Sequence, residues 1–101
     1  MNILVTGANG QLGNELRKIA EKTAAHNFCF TDREELDITN AEEVCRFVKE
    51  WKTEAIINCA AYTAVDKAET DTQLCEALNH FGPANLAKAA AMIGAKFVHI
   101  S

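Results

Sequence analysis

Apolar positions along the chain fall into two alternating patterns. Short runs, Ile3-Leu4-Val5, Phe28-Cys29-Phe30, Ala55-Ile56-Ile57-Asn58-Cys59-Ala60 and Lys96-Phe97-Val98-His99-Ile100, are separated by stretches whose apolar residues recur at helical spacing. Leu12, Leu16, Ile19 and Ala20 mark one helical face, and Val44, Phe47, Val48 and Trp51 mark a second. Thr39-Asn40, with Glu42-Glu43 following, predicts a capped start for that second helix. A third helical stretch runs from about Asp71 to Ile93 through Leu74, Leu78, Phe81, Leu86, Ala89 and Ala90, and stops at Gly94. Pro83 lies inside it and cannot bond to the Asn79 carbonyl, which predicts a kink or two abutting helices. The run from Ala55 to Ala60 hardly alternates, the pattern of a strand covered on both faces.

Strands that alternate with helices predict a parallel sheet with right-handed crossovers. The fold class is therefore α/β, built on a parallel sheet. Strands are expected near Asn2 to Thr6, Asn27 to Thr31, Ala55 to Cys59 and Lys96 to Ile100, in spatial order 2-1-3-4. About four residues separate Asp32 from Asp37, too few for a crossover helix, so any further strand there would be a stub outside the second. The last strand reaches the final residue with nothing to cover it, and the sequence reads as a fragment of a longer protein.

At 101 residues, 49% of them hydrophobic, the chain suffices for one domain and not two. A net charge of -4 gives no basic field for counterion release, which argues against nucleic acid as the main partner. No leader and no run of membrane-spanning length is present, so a soluble, cytoplasmic protein without a membrane partner is expected. Cys29, Cys45, Cys59 and Cys75 form no C-x-x-C pair and read as reduced core thiols. His26, His80 and His99 match no ligand spacing, and Asp66, Glu69 and Asp71 with Lys67 read as a solvated helix start, so no metal is expected. Trp51 is assigned to the core.

The chemistry concentrates in Gly7-Ala8-Asn9-Gly10-Gln11-Leu12-Gly13, which follows the first strand and opens the first helix. Gly7 suits a sharp turn, Gly10 lets backbone amides approach a pyrophosphate, and Gly13 lets the helix pack closely. Free amides and the helix dipole would then attract the anion, even in an acidic protein. A nucleoside-triphosphate loop fits poorly, because no Gly-Lys-Ser/Thr follows. Asp32 stands 19 residues after Gly13, where a carboxylate can accept both hydroxyls of an adenosine ribose. Arg33 beside it can pair with a 2′-phosphate, which leaves both NADH and NADPH open.

These residues resemble a known family. The glycine turn from Thr6 to Gly13, Leu36-Asp37-Ile38-Thr39, the run from Asn58 to Glu69 and the segment from Asn79 to Ala87 are similar to extended short-chain dehydrogenases/reductases. Within that family the A-Y-T-A-V-D-x-A-E run, Ala61 to Glu69, points to the dTDP-4-dehydrorhamnose reductases. The resemblance spans the whole chain and implies a Rossmann-like doubly wound parallel sheet, N-terminal part only: a truncated NAD(P)-binding Rossmann domain over residues 1–101, with the remainder of the sheet and a C-terminal substrate domain absent. It also implies reduction of dTDP-4-dehydro-L-rhamnose to dTDP-L-rhamnose with NADPH or NADH, the dTDP-sugar being bound by the longer protein. Carried over by position, Gly10, Gln11 and Leu12 would meet the pyrophosphate and Asp32 the ribose. Asp37 and Ile38 would flank adenine, Ala61, Tyr62 and Thr63 would line the nicotinamide side, and Asn79 would support the catalytic lysine through water.

The family's catalytic Ser/Thr falls directly after the position of Ser101, and its Tyr-x-x-x-Lys farther on. None of the three is in this sequence. Tyr62, the single tyrosine, is followed four residues on by Asp66 instead of Lys and cannot replace the proton donor. Two alternatives stay open: a non-catalytic nucleotide-binding subunit like the regulatory subunit of methionine adenosyltransferase, and another extended-family sugar-nucleotide epimerase or reductase.

Overall fold

The computed structural model describes residues 1–59 and 80–100. Strands β1 (Asn2–Thr6), β2 (Asn27–Thr31), β3 (Ala55–Asn58) and β4 (Lys96–His99) form one parallel sheet in the order β2-β1-β3-β4, as the sequence predicts. Helices α1 (Gln11–Glu21), α2 (Ala41–Glu50) and α3 (Gly82–Ile93) connect and cover them. Residues 32–40 hold hydrogen-bonded turns and no stub strand.

Strand alternation divides the core into two layers. Ile3 and Val5 of β1 face α1 together with Ala8, Leu16, Phe28 and Phe30. Leu4 and Ile56 face the other way, into a larger cluster with Leu36, Ile38, Val44, Val48, Leu86, Ala89 and Ala90. The chain thus winds to opposite faces on either side of β1, and the switch point falls between β1 and β3. β3 departs from the expectation of two covered faces: Ile56 and Asn58 are buried while Ala55 and Ile57 are half-buried. Ala55 and Ile57 pack at the margin of the α1-side layer, beside Ile3, Val5 and Ala8.

Local chemistry explains the helix ends. Asn40 caps α2, its Oδ1 accepting the Glu43 N–H at 3.1 Å. Lys52 then leaves the helix with φ 55°, a left-handed conformation that a non-glycine residue adopts at a cost. Pro83 stands in the first turn of α3, and helical backbone already precedes it, His80 and Phe81 forming a π-helical lead-in to Gly82. The predicted helical density before residue 80 lies outside the described residues. Gly94 closes α3 at φ 71°. Cys29, Cys45 and Cys59 are free thiols, yet each is half-buried at the margin of a layer instead of deep in the core. Cys75 lies outside the described residues. Trp51 is half-buried against the larger cluster, as its helical face predicts. Among the described residues, no helix is long and apolar enough to cross a membrane.

Candidate functional site

The carboxyl ends of β1, β2 and β3 meet at the glycine turn. Gly7 takes φ 68°, reversing the chain directly after β1, and the Ala8 N–H bonds to the Thr31 carbonyl of β2 at 3.0 Å. Gly10 is the N-cap of α1, with an ordinary φ of -82° and no side chain capping the helix. No acidic residue stands in that first turn, so within α1 itself nothing offsets the positive end of the helix. A Cβ built on Gly10 would meet nothing closer than the Gly7 carbonyl at 3.8 Å. The space beside Gly10 is thus open to solvent, and a Cβ there would fit without a clash. Gly13 differs: a Cβ there would collide with the backbone of Ala8. Its close approach is to the turn, and only through the turn to the strand.

Asp32 lies half-buried at the end of β2 and reaches across to this turn. Its Oδ2 accepts the Asn9 N–H at 3.1 Å and its Oδ1 accepts the Arg33 N–H at 2.7 Å. Glu35 accepts the Asp32 N–H at 3.1 Å, while the Asp32 carbonyl takes the amides of Glu35 and Leu36. This half of a capping box leaves the Asp32 carboxylate facing the glycines. Arg33 is exposed. Gln11 and Leu12 are also exposed, at the open mouth of α1.

Asp37 shapes the next turn, its Oδ1 accepting both the N–H of Thr39 at 3.0 Å and the Thr39 hydroxyl at 2.6 Å. Ile38 is 3% exposed, its side chain in the core, so it can flank a ligand only through its backbone. Its carbonyl is held by Asn85 Nδ2 of α3 at 2.9 Å. Ala61, Tyr62, Thr63 and Asn79 lie outside the described residues.

Three site features have roles that the sequence reading did not assign. Arg17 reaches from α1 to the turn, its Nη2 donating to Asn9 Oδ1 at 3.4 Å while its Cζ sits 5.3 Å from the Phe30 ring centre. A polar row also crosses the strand ends, Thr6 Oγ1 donating to Asn58 Oδ1 at 2.8 Å and Asn58 Nδ2 meeting His99 Nδ1 at 3.0 Å. Asn85, which anchors the Asp37 turn, is the third. The signals were a cation four residues past Gly13 and a lone amide inside an apolar strand. Cys59, beside the turn, has its thiol pushed up by burial, and Cys29 is raised by burial and then by the charge of Glu35.

A family profile described as the RmlD substrate binding domain matches residues 1–101. The chain belongs to this family. Among relatives of this RmlD-family chain, dTDP-4-dehydrorhamnose reductase of Mycolicibacterium smegmatis is 44% identical, over 98% of this chain and 29% of its own length. That of Streptomyces griseus is 41% identical, over 97% of this chain and 32% of its own. The crystal structure of a dTDP-4-dehydrorhamnose reductase from Clostridium acetobutylicum superposes with a TM-score of 0.91 at 50% identity, covering all of this chain and 36% of that one. The reductase from Bacillus anthracis, solved in complex with NADP, gives a TM-score of 0.86 at 41% identity, over 99% of this chain and 36% of that one. The RmlD-family chain thus spans about a third of the length of the relatives it matches.

Proposed function

We propose that the chain is the NAD(P)-binding Rossmann portion of a dTDP-4-dehydrorhamnose reductase, binding NADPH or NADH for reduction of the 4-keto group of a dTDP-sugar. The family profile refers to substrate binding, but within these residues the geometry favours the cofactor side. Relatives named as such reductases, one of them holding NADP, support the reading. The observation that carries it is the clear space at Gly10, set at the uncapped start of α1. A pyrophosphate fits there, because backbone amides can approach it with no Cβ between and the helix dipole favours its charge.

In this reading Gly7 and Gly13 hold the turn's shape, and Gly10, Gln11 and Leu12 present amides to the pyrophosphate. Asp32, with acceptor capacity left on both oxygens, takes the ribose hydroxyls. Asp37 and the Ile38 backbone border adenine, while Ala61, Tyr62 and Thr63 border the nicotinamide, with Asn79 in a supporting place. The bound cofactor would supply the hydride; the residues of this chain bind and orient it. The cytoplasm, where such cofactors and reduced thiols are kept, is the setting that goes with this.

Titration of NADPH and NADH, followed by NMR, tests it. Gly10→Val should keep the fold, since φ at Gly10 is -82°. It should lower affinity by well over about tenfold, or more than about 1.4 kcal/mol. A folded Gly10→Val variant that binds as well as the parent would refute the cofactor assignment.

A further inference from the structure

We infer that Arg17 recognises a 2′-phosphate on the adenosine ribose, a selection between NADPH and NADH that rests on the cofactor reading above. The corner beyond β2 carries two carboxylates, Asp32 and the Glu35 that accepts its N–H at 3.1 Å. By itself such a corner repels a phosphate. Both Asp32 oxygens, however, already accept backbone N–H groups, from Asn9 at 3.1 Å and from Arg33 at 2.7 Å. Asn9 in turn accepts from Arg17 Nη2 at 3.4 Å. One residue of the glycine turn therefore joins the carboxylate through its backbone and the guanidinium through its side chain.

The place of that cation is set in advance. Its stem is half-buried on α1, and its Cζ rests 5.3 Å from the centre of the Phe30 ring, which itself stacks on Phe28 at 5.8 Å. Arg33, next to Asp32 in sequence, is exposed on a turn and must order its whole side chain on binding. A guanidinium has five N–H donors in a planar fork, and the Asn9 contact uses one, leaving others for phosphate oxygens. A cation already ordered loses less entropy on binding. Arg17 is thus a specificity residue for 2′-phosphorylated adenosine, and Asn9 and Phe30 position it.

The test titrates NADPH, NADH, 2′,5′-ADP and ADP against the parent, Arg17→Gln, Arg33→Gln and Phe30→Leu, with backbone amide spectra reporting the fold. Arg17→Gln should weaken NADPH and 2′,5′-ADP by roughly tenfold while NADH and ADP stay within about twofold. Arg33→Gln should cost the phosphorylated ligands less, and Phe30→Leu should reproduce part of the Arg17 loss with the charge still present. Parallel losses for phosphorylated and plain ligands, or discrimination that disappears only in Arg33→Gln, would overturn the assignment of Arg17 and leave the cofactor site standing. A parent that binds none of the four would overturn both.

Discussion

Single residues at the glycine turn carry separable tasks, and stability can separate them. Gly10 has an ordinary φ and open space, so Gly10→Ala should change stability by less than about 1 kcal/mol. Gly13→Ala places a methyl on the Ala8 backbone and should cost about 1–3 kcal/mol or more, because neither turn nor helix can retreat. Urea denaturation of the two variants side by side checks the contrast. The spacing of the glycines made these tasks legible, since each follows from backbone geometry. The double engagement of Asp32 was not legible, because it depends on where Asn9 comes to rest across the sheet. Cysteine chemistry offers a second prediction. Burial raises the Cys59 thiol, and burial with Glu35 raises Cys29, so both should react with iodoacetamide more slowly than free cysteine at neutral pH. The sign for stability follows: a raised folded value contributes stability below the ordinary thiol range, and that stability is lost as pH climbs through the folded value. Mass spectrometry of alkylation across pH, with thermal melts on the alkaline side, measures both.

Elements inherit their ends from a few such residues. The N-cap of α2 was readable from Thr39-Asn40 and the glutamates after it, because capping is local. Asn40→Ala should therefore cost about 1 kcal/mol in a melt. The far end of the same helix was not readable: nothing in Trp51-Lys52-Thr53 announces a left-handed lysine, after which the Thr53 N–H bonds back to the Val48 carbonyl at 3.0 Å. Lys52→Gly should accordingly stabilise the protein by up to about 1 kcal/mol, and an unchanged or lower melting temperature would contradict the strain. Pro83 shows a different limit. Proline fixes what cannot happen at its position, a bond to the residue four back, but not which turn of a helix it occupies.

The whole molecule sets what these elements can do together. A hydride delivered to a carbonyl leaves an oxyanion that needs a proton, and the one tyrosine of this chain lacks a lysine four residues on. This polypeptide alone should bind cofactor yet show no NADPH consumption dependent on dTDP-4-dehydrorhamnose, and steady consumption would contradict that. Among the described residues the sheet is unevenly dressed. Toward α2 and α3, Ile56 and Leu86 are fully buried, whereas on the α1 side of β4 Val98 is 50% exposed. Periodicity alone could not reveal this, since an unbroken apolar run reads as doubly covered and coverage depends on where a distant helix settles. The asymmetry predicts where stability resides. Ile56→Ala opens a cavity between strands and two helices that cannot collapse freely, and should cost about 2–5 kcal/mol. Val98→Ala removes methyls that are already half in water, and should cost less than about 1 kcal/mol. Denaturation of both variants decides it: a Val98 loss as large as that of Ile56 would mean that the α1 side of β4 is packed as tightly as the other face.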